Sequence, residues 1–157
     1  MTDGGVYLGV AGGDRVELKR FDVPDGLGVH LLRAAGLVVA VVTGRAGDAA
    51  RLRAEELEVD EFWGDAGAKK LPAFEEILQR RKLRWEEACF IGDDLPDLPV
   101  LRRCGLAVTV PEAPALIRTH AHYVTTLHGG RGAVREVCEL LMQAQGTLEG
   151  KMREYLR

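Results

Sequence analysis

Cys89-Phe90-Ile91-Gly92-Asp93-Asp94-Leu95-Pro96-Asp97 is an apolar strand that ends abruptly in a glycine and two adjacent carboxylates. Ligands of open α/β sheets gather outside the carboxyl ends of the strands. Mg²⁺ is usually held there by one or two carboxylates together with phosphate oxygens. Asp93 and Asp94 are therefore the first metal-ligand candidates. A solvated Asp-Asp turn after a core strand would be spelled the same way, so the rest of the chain has to decide.

A second strand of this kind, Leu37-Val38-Val39-Ala40-Val41-Val42, is apolar along its length, as expected where helices cover both faces. It ends in Thr43-Gly44-Arg45. A hydroxyl, a bare backbone turn and a guanidinium at a strand's carboxyl end can hold a phosphate through side-chain and amide hydrogen bonds. Between the two strands lies Lys69-Lys70-Leu71-Pro72-Ala73-Phe74, where Pro72 suits the first turn of a helix and sets the lysines at its mouth. A lysine there can neutralise a phosphoryl group, although in isolation a solvated lysine pair reads the same. Metal chemistry at one strand end and phosphate chemistry at another rarely coincide by chance.

Outward from these segments the pattern alternates. The glycine turn Ala11-Gly12-Gly13-Asp14 separates Val6 to Val10 from Arg15 to Phe21 and predicts a projecting β-hairpin over residues 6–21. Helices are expected over Leu27 to Ala35, stopped at Gly36, and over Asp48 to Leu57, Pro72 to Lys82, Pro99 to Arg103, Ala113 to Thr119 and Ala133 to Gln145. Further strands are expected near Phe62, over Ala88 to Ile91 and Leu106 to Val110, and at Tyr123. Such alternation implies an α/β fold with a doubly wound parallel sheet. No internal repeat or low-complexity segment interrupts it, and residues 1–157 read as one domain.

Composition agrees. A chain of 157 residues can bury about 68–70% of its unfolded surface. Its 46% apolar and 29% charged residues, with 19 glycines, describe a turn-rich globular protein. The net charge of −3 gives no reason to expect nucleic-acid binding, so an anionic ligand must rely on local basic groups and metal. Cys89, Cys104 and Cys138 are odd in number and unlike any zinc motif in spacing, which predicts reduced, buried thiols and a cytoplasmic setting. No signal peptide is visible, and no apolar run approaches the ~18 residues of a membrane span.

The order and spacing of Thr43-Gly44-Arg45, Lys69-Lys70-Leu71-Pro72 and Gly92-Asp93-Asp94 resemble three motifs of the haloacid dehalogenase superfamily of aspartyl phosphatases. The resemblance narrows further through Thr2 to Leu8, Glu17 to Gly28, the run "GDDLPDLPVLRRCGLAV" from Gly92, and "GGRGAVREVCELLMQAQG" from Gly129. Over about residues 2 to 146 these segments are similar to the 3-deoxy-D-manno-octulosonate 8-phosphate phosphatase family.

That resemblance implies Mg²⁺-dependent hydrolysis of a 3-deoxy-ulosonate sugar phosphate through an aspartyl phosphate. Asp93 would hold the metal, and Asp94 would join it or anchor the loop. Thr43 and Gly44 would bind phosphoryl oxygens, and Lys70, or Lys69 if the loop from Gly64 is longer than usual, would offset charge. Asp22, Val23, Pro24, Asp25, Gly26, His30, Arg45 and Arg53 match positions that touch the sugar. His30 alone reads equally as a helix-surface histidine.

One departure matters. The family begins with a middle strand ending in Asp-x-Asp-Gly, whose first Asp is the nucleophile. No residue of this sequence can be assigned to it, because Asp3 belongs to the segment that follows. The strands at Leu37 to Val42 and Ala88 to Ile91 are then expected to present two unpaired interior edges. A catalytically inactive oligomerisation module, or a sugar-phosphate-binding module, is the alternative reading. The hairpin's Tyr7, Leu8, Val16, Leu18 and Phe21 need a partner. It is either the domain's own core or, as the family implies, neighbouring subunits of a homotetramer. The family also implies that the glycine-rich segment Gly129 to Gly132 approaches an adjacent subunit's site. The tail over 147–157 lies outside the resemblance and is expected to be a surface or interface helix.

Overall fold

Two glycines make the first element. In the computed structural model, which describes residues 1–45, 47–64, 67 and 69–156, β1 (Tyr7–Ala11) and β2 (Asp14–Leu18) pair antiparallel from Tyr7↔Leu18 to Ala11↔Asp14. Gly12 at φ 63° and Gly13 at φ 94° supply the left-handed backbone that this two-residue turn demands. Of the apolar residues expected to need a partner, Tyr7, Leu8 and Leu18 are exposed, whereas Val16 and Phe21 are half-buried.

Helix α1 (Val23–Ala34) begins four residues before the expected Leu27. Pro24 is pre-set for a first helical turn and Asp25 complements the positive end of the helix, so the helix takes in residues that read as a loop. It packs along α6 (Ala133–Ala144). Gly28 allows the approach, since a Cβ there would lie 3.0 Å from the Arg135 Cα. Val29, Leu31 and Leu32 bury against Cys138 and Met142 in one of two core clusters.

The remaining strands are parallel, as predicted. They fall in two groups, β3 (Ala40–Thr43) with β4 (Glu61–Gly64), and β5 (Cys89–Ile91) with β6 (Leu106–Thr109) and β7 (Tyr123–Val124). Among the described residues no ladder joins β3 to β5. This leaves the two open edges that the sequence implies. It also explains a difference: the strand expected over 37–42 begins only at Ala40 and is half-buried along its length, because it has one neighbour instead of two.

Crossovers are supplied by α2 (Asp48–Glu56), α3 (Lys70–Arg81), α4 (Leu98–Leu101) and α5 (Ala115–Arg118). The second core cluster sits under α3, α4 and β6, with Val100, Leu101 and Ile117 fully buried and Phe74 against Trp85 and Phe90. The tail forms α7 (Leu148–Glu154), as expected. Cys104 and Cys138 are buried free thiols and Cys89 is half-buried, with burial pushing Cys89 and Cys138 up to about 12. No described helix is long and apolar enough to cross a membrane.

Candidate active site

The turn after β5 is organised by a residue to which the sequence reading gave no role. Asp97 is 1% exposed. Its Oδ1 accepts from Lys70 Nζ at 2.6 Å, and its Oδ2 accepts the backbone N–H groups of Asp93 at 3.0 Å and Asp94 at 3.2 Å. Gly92 is required beneath it, since a Cβ there would fall 2.5 Å from the Asp97 Cβ. A signal was present in the sequence: Asp94 and Asp97 stand three apart around Leu95-Pro96, the spacing of a reciprocal cap.

Asp94 is exposed and accepts the Leu95 N–H at 2.7 Å, so its side chain anchors the turn. Asp93 is half-buried, and its carboxyl is pushed up by burial and by the Asp97 charge, with Lys70 opposing. A cation would satisfy such a group. Among the described residues no three His, Cys, Asp or Glu side chains converge; one or two carboxylates with phosphate oxygens are the usual arrangement for Mg²⁺.

Lys70 is the first residue of α3, while Lys69, outside the helix, is exposed. The structure thus brings Lys70 to the acidic turn. Residues 65, 66 and 68 of the loop from Gly64 lie outside the described residues. Helix α3 touches both β3 and the Leu95–Asp97 turn, and its first residue, Lys70, meets the latter.

After β3 the turn is looser. Thr43 Oγ1 accepts the Arg45 N–H at 3.2 Å and donates to the Arg45 carbonyl at 3.3 Å. Gly44 is exposed, and Arg45 reaches Glu17 of the hairpin, Nε to Oε2 3.6 Å.

The residues matched to sugar contacts separate. Val23, Pro24 and His30 are exposed on α1. Asp25 and Gly26 are instead buried inside the chain. Asp25 Oδ1 accepts the Arg135 N–H at 2.9 Å and so caps α6 from another helix, while Oδ2 has no hydrogen-bond partner among the described residues and burial pushes the carboxyl up. Gly26 lies under the Arg53 guanidinium, 2.5 Å from where its Cβ would be. Arg53 donates to the Asp22 carbonyl at 3.0 Å and to Glu56 at 2.8 Å and lies over the Phe21 ring, which ties α2 to the start of α1. Asp22 is half-buried and pairs with Arg20 at 3.7 Å. Gly129 and Gly130 pack on Thr2 and Asp3 of the same chain, where a Cβ on Gly130 would lie 2.6 Å from the Asp3 nitrogen.

An acidic turn, a lysine and a hydroxyl turn stand on a parallel α/β frame, and residues 63–137 match the haloacid dehalogenase-like hydrolase family. The chain is 43% identical over 150 residues to 3-deoxy-D-manno-octulosonate 8-phosphate phosphatase of Yersinia pestis, covering 96% of this chain and 78% of that protein. Among solved structures, it superposes on a probable YrbI family phosphatase of Pseudomonas syringae with a TM-score of 0.94 at 39% identity, covering 99% of this chain and 86% of that one. It superposes on 3-deoxy-D-manno-octulosonate 8-phosphate phosphatase of Moraxella catarrhalis, in complex with magnesium, phosphate and KDO, with a TM-score of 0.93 at 34% identity over 98% and 86% of the two chains. The chain belongs to the 3-deoxy-D-manno-octulosonate 8-phosphate phosphatase family.

Proposed function

We propose that this protein is a Mg²⁺-dependent phosphomonoesterase acting on a 3-deoxy-ulosonate phosphate, 3-deoxy-D-manno-octulosonate 8-phosphate first among them. The observation that carries this reading is the pairing of Lys70 with buried Asp97 beside half-buried Asp93, at the carboxyl end of β5. Asp93 would hold Mg²⁺, with Asp94 fixing the turn. The ion would supply Lewis-acid charge for the phosphoryl oxygens. Thr43 and the Gly44 amide bind those oxygens once the hydroxyl turns from the Arg45 backbone, and Lys70 faces the developing charge. Val23, Pro24, His30 and Arg45, all exposed, would meet the sugar acid, with Asp22, Asp25, Gly26 and Arg53 supporting them through contacts such as that of Arg53 with the Asp22 carbonyl.

The nucleophile belongs on a strand between β3 and β5, where a carboxyl end would meet Thr43 and Asp93. Residues 1–157 contain no Asp in that position. The test compares a polypeptide of residues 1–157 with one that also carries an Asp-x-Asp strand. The second should release phosphate from the sugar phosphate only with Mg²⁺, and the first should stay at background. Specific turnover by residues 1–157 alone, with the mass verified, would mean that the nucleophile lies within them.

The exposed hairpin serves self-association into a homotetramer in this reading, and the protein works in the cytoplasm as a single domain.

A further inference from the structure

A carboxylate of the hairpin reaches the turn after β3. Glu17 and Lys19 lie two apart on β2 and its continuation, hence on one side of the strand. Glu17 Oε1 is 3.3 Å from Lys19 Nζ, and Oε2 is 3.6 Å from Arg45 Nε. The Lys19 side chain is only 9% exposed and that of Glu17 22%, so the carboxylate is held in a shielded place beside a cation that itself has little freedom. Glu17 Oε1 is out of water and, among the described residues, accepts no hydrogen bond of good geometry, Lys19 being its ion-pair neighbour. The Arg45 turn is shaped around it: a Cβ on Gly47 would lie 2.8 Å from Glu17 Oε1. Bare backbone at position 47 is what lets the carboxylate seat against the loop.

Arg45 is 57% exposed along its side chain, and an arginine so placed samples many rotamers unless something holds Nε. An ion pair through Nε leaves the two terminal nitrogens free to meet an anion as a fork. We propose that Glu17 is a positioning residue for Arg45, orienting its guanidinium toward the anionic substrate bound beside Thr43 and Gly44, so that substrate affinity depends on the hairpin. Lys19 balances the carboxylate, so that Glu17 does not cancel the attraction of Arg45 for the substrate. This rests on the phosphatase reading above.

The experiment uses the full active protein and the Glu17→Gln variant, with 3-deoxy-D-manno-octulosonate 8-phosphate as substrate. The KM should rise about threefold to fivefold, as befits one partly exposed ion pair, with kcat changed by less than about twofold. In an Arg45→Ala background the same substitution should add nothing measurable, since the group that it positions is gone. Nitrogen-15 relaxation of the Arg45 Nε–H, which needs no turnover, should show an ordered side chain that becomes mobile in Glu17→Gln. An unchanged KM, or an equal effect with and without Arg45, overturns the proposal, as does an arginine equally mobile in both proteins. A wild-type protein without turnover but with the ordered Nε–H overturns the phosphatase reading instead, and with it the substrate role given to Arg45.

Discussion

After β5 the chain turns around a carboxylate that is 1% exposed and receives three hydrogen bonds; after β3 it turns around a hydroxyl whose bonds run to Arg45, two residues on. Both turns stand at carboxyl ends of parallel strands, and α3 touches the strand before the one and the Leu95–Asp97 segment of the other. The first is backed by β6, α4 and a closely packed core. The second is backed by β4 and by half-buried residues, with the α1–α6 contact behind it and a hairpin carboxylate at its rim. The difference teaches where preorganisation resides. The metal-type turn holds its shape before any ligand arrives, whereas the phosphate-type turn satisfies its own groups and must exchange those bonds for the ligand's.

If that contrast is right, the largest effect on the fold comes from Asp97→Ala. It leaves the Lys70 ammonium and two backbone N–H groups without their acceptor, and breaking one side of a buried pair costs about 3–5 kcal/mol. Thermal unfolding should fall by something on the order of 10 °C. A loss no larger than that of a surface substitution would erase the distinction between the turns.

Next come two apolar truncations. Leu101→Ala, at 1% exposure in the packed half, should cost about 2–5 kcal/mol in urea unfolding. Val42→Ala, in half-buried β3, should cost clearly less, about 1 kcal/mol. Equal costs would show β3 to be packed as tightly as the core around β5.

A pH effect sharpens the account of the β3 side. Burial raises the Asp25 carboxyl above its ordinary 3.8, so the fold favours the protonated form. The stability this lends is present below 3.8 and is lost as pH rises through the raised value. Asp25→Asn keeps an acceptor for the Arg135 N–H and removes the titration, so the decline of stability with rising pH should flatten. Urea midpoints followed from acid to neutral pH that decline equally in both proteins would show Asp25 not to be the group concerned.

The smallest effect on the monomer is expected at the hairpin. Tyr7→Asp with Leu18→Lys, opposite charges on facing positions of the hairpin, should change chain stability within about 0.5 kcal/mol, because both side chains already face solvent, yet should dissociate the assembly in light scattering. A wild-type monomer at micromolar concentration would remove the assembly role.

Much of this was legible in the sequence because local rules agree with the fold. The Gly12-Gly13 turn, the apolar strands ending in Gly92-Asp93 and Thr43-Gly44, and the spacing to Lys70 are each written in adjacent residues. The start of α1 was missed because Pro24 and Asp25 favour a turn as readily as a first helical turn, and only packing against α6 decides. Asp25 and Arg53 have the residue types of ligands, but contacts across long stretches of chain use them within the fold, at the Arg135 N–H and the Asp22 carbonyl. Asp97 was overlooked for the opposite reason. Its role lies in backbone amides and a lysine from another helix, and no reading of charge along the chain reports those.

The central claim is that the preorganised turn after β5 holds the metal through Asp93. Phosphate release from 3-deoxy-D-manno-octulosonate 8-phosphate, titrated with Mg²⁺ in the active protein and in Asp93→Asn, tests it directly. The account predicts that the variant needs far more Mg²⁺ and turns over at least about a hundredfold more slowly, because an anionic oxygen ligand has been lost. Turnover and Mg²⁺ dependence equal to those of the unaltered protein would contradict it.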